Sequence, residues 1–317
     1  MLSGFLITTL LLEERQRTGR VSFPAFWRRR AYRLMPALAV LLAVYALVLA
    51  AQGELDGHAA RGIAAGARHV TNLVYCVGGL NSIPTSLGPL WSLAQEEQFY
   101  LLWPPLLFIV LRGRVRLALV VLAAAAVFSI AQGLRLADGR AWFGPDARGL
   151  GIIAGCAVAH GLWLVPRLAT VARPLMLPAF LIALMIVFFP ITTPDAAYRG
   201  PLLVFVLCSV ILVLVAYEGR GLFARALARA PFVWLGKISY SYLWHVPVFV
   251  ALGWVAADAS LTRRAWAMTA ALAVAAASHV FVERPFLRRK RRQLAVSERQ
   301  ESTISPMLLE GGRAPVG

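Results

Sequence analysis

LMPALAVLLAVYALVLAA, residues 34–51, has no charged side chain in eighteen positions and follows directly on Arg28, Arg29, Arg30 and Arg33. A helix that crosses a hydrocarbon core about 30 Å thick needs roughly 20 mostly apolar residues, and this stretch comes close to that length. Its arginines stand at one end only, which marks that end as cytosolic because basic residues accumulate on the inner side of spans. Seven comparable stretches follow, at about 90–111, 115–132, 149–165, 174–190, 201–217, 238–256 and 265–283. Residues 1–12 are apolar but only about half the length needed to cross, and read as the inner half of a helix whose beginning is absent. The expected fold is all-α, a polytopic membrane helix bundle with about nine segments, the first of them partial.

Composition agrees with this reading. The chain of 317 residues is 59% hydrophobic and 15% charged, against about 45–50% apolar and 25% charged in soluble domains. The net charge of +17 would suit nucleic acid, but its placement suits a membrane better. With residues 13–33 in the cytosol, alternation of the spans puts 24 of the 32 basic residues inside. That bias sets orientation and favours anionic headgroups, and it leaves no case for a nucleic-acid partner. Residues 1–284 then form one membrane domain, and residues 285–317 a basic, partly disordered cytosolic tail. Cys76, Cys156 and Cys208 are isolated in sequence, so neither a disulfide framework nor metal-ligand spacing is present. The Ala-, Arg- and Leu-rich wording points to a GC-rich bacterial genome, hence to the plasma (inner) membrane.

Polar clusters interrupt the apolar pattern in five places. Phe26 to Pro36 carries Arg29, Arg30 and Arg33 immediately before a span; forked guanidiniums at an inner membrane edge suit a polyphosphate, and equally suit an ordinary positive-inside stop signal. Trp91 to Pro104 opens a span with Glu96 and Glu97, with Ser92 and Gln95 in capping-box spacing. Glu96, Tyr100 and Trp103 fall on one helical face, and a carboxylate at membrane depth is costly and usually functional. Gly236 to Pro247 gathers Ser239, Tyr242 and His245, the last able to exchange a proton near neutral pH or to serve as a buried structural histidine. Phe143 to Gly149 contains Asp146 and Arg148, either an acceptor-orienting pair or a loop ion pair. Phe281 to Phe286 closes the last helix with Glu283, Arg284 and Pro285. His58, His69, His160 and His279 are assigned structural or solvated roles.

Taken in order, Leu2-Ser3-Gly4-Phe5-Leu6-Ile7, Arg29-Arg30-Ala31-Tyr32-Arg33, Trp91 to Pro104, Phe143 to Cys156, Ser239 to Pro247 and Glu283-Arg284-Pro285-Phe286 resemble the acyltransferase-3 family of integral membrane acyltransferases. The resemblance implies about ten spanning helices and movement of an acyl group, often acetyl, from cytosolic acyl-CoA to a hydroxyl. It implies an acceptor that is a polysaccharide, a lipid-linked glycan or a small molecule, with acyl-CoA as co-substrate and no permanently bound cofactor or metal. Arg29, Arg30 and Arg33 would hold the CoA phosphates, and Glu96 would position the acceptor or relay a proton. His245 is nominated beside Glu96 as a catalytic group. Tyr100, Trp103, Asp146, Arg148, Ser239 and Tyr242 would shape the acceptor side. Such proteins carry a histidine on a first helix, which no residue of this chain matches. In the Ser-Tyr motif, Ser241 is followed directly by Tyr242, one residue short of the family spacing. Two other readings stand beside acyl transfer: an N-terminally truncated inactive remnant, and a transporter or flippase-like protein.

Overall fold

In a computed structural model, which describes residues 1–110, 115–136, 138–189, 200–238, 241–254 and 260–288, no strand occurs among the described residues and the regular elements are helical. Helix α1 (Leu2–Thr18) stops where Gly19 turns left-handed (φ 70°) and its N–H closes on the Arg15 carbonyl, a cap that a Cβ would strain. Helix α2 (Phe23–Gln52) takes Pro24 in its first turn, runs through Pro36 and ends at Gly53. Asp56 starts α3 (Gly57–Ala67) by accepting the Ala59 N–H at 2.8 Å, and α4 (Thr71–Gly78) follows. Helices α5 (Leu90–Val110) and α6 (Val115–Arg135) lead to the short α7 (Asp138–Phe143) and α8 (Pro145–Arg148). Then come α9 (Leu150–Leu164), α10 (Leu168–Ala172), α11 (Met176–Phe188) and α12 (Pro201–Glu218). Helices α13 (Gly221–Leu227), α14 (Ala230–Lys237), α15 (His245–Ala251) and α16 (Leu261–Ser278) complete the set, and α16 continues into a π-helical turn at His279–Glu283.

Among the described residues, six helical segments are long and apolar enough to cross a membrane: Phe23–Gln52, Ala118–Arg135, Pro145–Leu164, Leu168–Phe188, Pro201–Glu218 and Leu261–Arg288. Their outward faces are apolar, as at Leu47 and Val48 on α2 and Met185, Val187 and Phe188 on α11. In water such surface would drive association; in hydrocarbon it is the face a span needs. The chain is a multi-pass membrane protein. Two expected spans differ from their forecast. Of the stretch 90–111, Leu90–Val110 form one helix, but Gln95, Glu96, Glu97 and Gln98 dilute its first half. The stretch 238–256 is broken into a 3₁₀ turn at Ser241–Trp244 and the seven-residue α15, which ends near Gly253 (φ 67°). Pro247, lacking an N–H, and that left-handed glycine explain why no long helix forms there. At the start of the chain the difference runs the other way. With no breaker before Gly19, α1 carries Glu13 to Thr18 as helix where a cytosolic loop was expected. The basic tail lies outside the described residues from 289 onward.

Helices α1 and α9 run side by side in the same direction because glycine lets their backbones meet. A Cβ on Gly4 would strike the Ile152 carbonyl of α9, and one on Gly155 would strike the Met1 carbonyl and the Phe5 nitrogen. Small residues at such crossings permit the close approach that dispersion requires in lipid. Gly155→Leu is therefore expected to lower stability by about 1–3 kcal/mol, seen as a lower melting midpoint in detergent. Gly57→Ala, which meets nothing within 4 Å, serves as the unaffected comparison. With α2 and α5, this pair encloses a core of Ile7, Leu11, Leu34, Tyr100, Trp103 and Cys156. Helices α11 and α12 flank it on one side; α15 and α16 pack together on another, and the π turn lies against α2.

Candidate active site

Glu96 is the centre of a hydrogen-bonded group inside this core. Its Oε1 accepts from the Ser3 hydroxyl at 2.7 Å and its Oε2 from the Tyr100 hydroxyl at 3.1 Å. The second bond follows from helical spacing, since residues four apart share a face. One turn further along the same face, the Trp103 indole N–H donates to Thr8 at 2.9 Å. Glu96, Tyr100 and Trp103 thus form the single stripe expected of them, and it faces α1. Two hydrogen bonds leave lone pairs on both carboxylate oxygens, so the group is oriented yet still able to accept from a third partner.

Helix α2 crosses this stripe with a cation. The Arg30 guanidinium lies 4.7 Å from the centre of the Tyr100 ring and 5.8 Å from that of Phe26. The Trp27 indole N–H donates to the Tyr100 carbonyl at 3.0 Å. Arg30 also lies within electrostatic reach of Arg33, Glu97 and Glu96. From it a cleft of about 470 Å³ opens between α1 and α2, lined by Arg17, Arg29, Arg30 and Arg33 together with Glu13, Glu14 and Thr18. Within it the arginines divide their work. Arg29 pairs with Glu14 at 2.8 Å, and Glu14 also accepts the Ser22 N–H at 3.0 Å, so Arg29 fastens the turn between the two helices. Arg30 and Arg33, joined by Arg17, present guanidinium groups to the cleft. Arg17 was not singled out in the sequence because it stands twelve residues from Arg29 across a turn.

The other cluster lies around α8, and two expectations there are corrected. Asp146 does not pair with Arg148; it is held by both arms of Arg140, at 2.7 and 2.8 Å, and accepts from Gln132 at 3.4 Å. Residues two apart on a helical turn point to different sides, which sends Arg148 instead over the Trp142 ring at 4.1 Å and toward Trp91 at 6.0 Å. Ser92 and Gln95 do not make a capping box either. Because α5 already begins at Leu90, the Ser92 hydroxyl donates to the Pro89 carbonyl and the Gln95 amide to the Phe143 carbonyl.

His245 lines an apolar cavity of about 300 Å³ with Leu235, Ile238, Met268, Ala271, Leu272 and Ala275. Ser239 and the side chain of Tyr242 lie outside the described residues. His160, assigned a structural or solvated role, is fully buried. Its Nδ1 lies 2.9 Å from the Cys156 carbonyl one turn earlier, and its ring stands edge-on to Trp103. His279 pairs with Glu283 at 2.9 Å in the π turn.

Comparison with known proteins places the chain. The model of the acyltransferase-3 family, described as an acyltransferase domain, matches residues 1–282. YrhL of Bacillus subtilis, a candidate peptidoglycan O-acetyltransferase, is 33% identical over 275 residues, covering 79% of this chain and 43% of that protein. The O-acetyltransferase OatA of Staphylococcus aureus is 32% identical over 272 residues, 79% of this chain and 45% of its own. The peptidoglycan O-acetyltransferase OatA of Listeria monocytogenes is 29% identical over 270 residues, 78% and 43% of the two. The chain thus spans less than half the length of these relatives, and no solved structure matches it. With residues 1–282 matched, the chain belongs to the acyltransferase-3 family.

Proposed function

We propose that the chain is a membrane O-acyltransferase that moves an acetyl group from cytosolic acetyl-CoA to a hydroxyl of a cell-envelope glycan. The observation that carries this reading is Tyr100, which bonds Glu96 through its hydroxyl and carries on its ring Arg30, one of the arginines that line the basic cleft. Arg17, Arg30 and Arg33 suit the CoA phosphates, because a guanidinium fork meets two phosphate oxygens at once. The excess of basic residues on that side supports a cytosolic opening. The thioester end then lies toward Glu96. The glycan acceptor and the acetyl group are supported by the names of the relatives, which are O-acetyltransferases, two of them of peptidoglycan.

Transfer needs an acceptor hydroxyl stripped of its proton and a place for the negative charge that follows. The Glu96 carboxylate takes the proton as the hydroxyl oxygen bonds to the thioester carbonyl carbon. The Arg30 guanidinium, held on the Tyr100 ring, supplies positive charge toward the oxyanion that develops. When the tetrahedral adduct collapses, the carbon–sulfur bond breaks, the thiolate leaves on CoA, and the proton held by Glu96 returns to sulfur. Ser3 and Tyr100 keep the carboxylate aimed throughout. The test is release of free CoA thiol, with label appearing on glycan, when the full chain in membranes receives labelled acetyl-CoA and soluble peptidoglycan fragments. Correctly inserted protein that neither binds nor consumes acetyl-CoA would end this reading.

A further inference from the structure

Between the end of α12 and the broken stretch after residue 238, acyl transfer leaves a basic yet apolar segment without a task. Gly219 to Ile238 carries Arg220, Arg225, Arg229 and Lys237 and no acidic residue. Every residue of α14 is exposed, Phe232, Val233, Trp234 and Leu235 included, and in α13 only Phe223 and Ala224 are covered. Apolar side chains laid bare along a whole helix and interspersed with cations do not suit water. They suit the boundary between lipid headgroups and hydrocarbon. The fold puts the segment at that boundary. Glu218, which closes α12, is held by Thr170 and Arg173, shortly after the end of α9. Since α9 runs in the direction of α1, α13 and α14 begin at the end of the bundle that bears the basic cleft, the cytosolic end by its charge.

The same segment leads into the cavity of about 300 Å³ that Leu235 and Ile238 share with α16. That cavity has an open rim and a closed floor. Leu235, Met268 and Leu272 are 44%, 43% and 39% exposed, whereas Ile238, Ala271 and Ala275 are each 4% exposed. Ala271 and Ala275 stand one helical turn apart on the same face of α16, and their small side chains leave the space that larger ones would fill. An apolar space of this kind stays dry. Because α16 is a span, its rim opens on hydrocarbon, where the occupant at hand is an alkyl chain. The volume lies at the low end for small-molecule sites, enough for part of one chain. Lys237, the exposed last residue of α14, directly precedes Ile238, so positive charge and cavity meet at the same helix end. Arg225 spends its Nε–H on the Gly221 carbonyl at 3.3 Å, which leaves the two terminal nitrogens of its fork for a further acceptor. Cations at headgroup level thus adjoin an apolar slot, and a phospholipid with a negative headgroup carries both counterparts in one molecule.

We propose that this is a binding site for one anionic phospholipid of the inner leaflet. Arg225, Arg229 and Lys237 hold its headgroup, and one acyl chain is seated in the cavity. The test uses neither the donor nor the acceptor of acyl transfer. The full chain is reconstituted in phosphatidylcholine nanodiscs doped with one of two photoactivatable probes, a phosphatidylglycerol or a phosphatidylcholine. Each probe carries a diazirine near the end of the same acyl chain, and labelled peptides are quantified by mass spectrometry. The phosphatidylglycerol probe should label residues 235–238 and 268–275 about tenfold more than the phosphatidylcholine probe does, because each basic group near the surface attracts an anionic headgroup. The lipid-facing side of α11 should take up both probes alike. Replacing Arg225, Arg229 and Lys237 together by glutamine should bring the two probes level at the cavity. Ala271→Leu fills the floor and keeps the charges, so it should remove the excess label from residues 268–275. Equal labelling of the cavity by the two probes in the unaltered protein overturns the proposal whatever the variants do. So does a phosphatidylglycerol excess no greater there than on α11, or one that survives either the triple glutamine variant or Ala271→Leu.

Discussion

Glu96→Gln is expected to reduce acetyl transfer by about 10²–10⁴-fold, the range general base catalysis contributes, while the affinity for acetyl-CoA changes little. The substitution keeps the shape of the side chain and an oxygen that can accept from Ser3 or Tyr100, so the packing of α1 on α5 survives. What it removes is a group that can take a proton from the acceptor hydroxyl. Glu96→Asp, which keeps the charge but withdraws it by one methylene from Ser3 and Tyr100, should fall between the two. Initial rates of CoA thiol release, with acetyl-CoA binding measured on the same preparations, decide the matter. A glutamine variant that turns over normally would reduce Glu96 to a helix-start residue. Tyr100→Phe refines the picture: it deletes one hydrogen bond to the carboxylate but leaves the ring beneath Arg30, and a rate loss smaller than that of Glu96→Gln would mark Tyr100 as a positioning residue.

Much of this site was legible in the sequence because its strongest relations are local. Glu96 and Tyr100 are four residues apart on one helix, and Arg30 and Arg33 three apart, so helical geometry alone puts each pair together. The spans were legible for a similar reason, since lipid imposes a length and an apolar composition on each helix independently. Relations made across space were not. The partner of the Glu96 Oε1 atom is Ser3, 93 positions away, and nothing in either segment names the other. Asp146 had two arginines within side-chain reach, and only the fold of α7 against α8 selects Arg140 over Arg148. His245 is legible as a histidine in an apolar stretch, but the cavity it shares with α16 is not, because that contact is made across space. Likewise, the aromatic cluster around Arg148 joins residues of α4, α5 and α7, each of which reads alone as an ordinary interfacial aromatic residue.

Replacing Arg30 and Arg33 together by alanine should raise the KM for acetyl-CoA by about 100-fold or more, since each charged hydrogen bond lost is worth about 1.5–3 kcal/mol. The single variants should separate. Arg33 lines the cleft, so Arg33→Ala should act on KM. Arg30 lines the same cleft but also lies on the Tyr100 ring, so Arg30→Ala should lower kcat as well. Lysine at both positions restores charge without the planar fork, and should recover part of the binding but not the full affinity. Arg29→Ala offers the internal contrast. Its guanidinium is committed to Glu14 in a partly exposed pair, an interaction worth no more than about 1 kcal/mol, and its loss should soften the α1–α2 junction more than it weakens the donor. Steady-state kinetics on membranes holding equal amounts of inserted protein distinguish these outcomes. If the double alanine variant kept the KM of the unaltered chain, the cleft would not be the CoA site. The basic residues before α2 would then serve only to hold that helix end in the cytosol, as their counterparts do in any span with a positive inner edge.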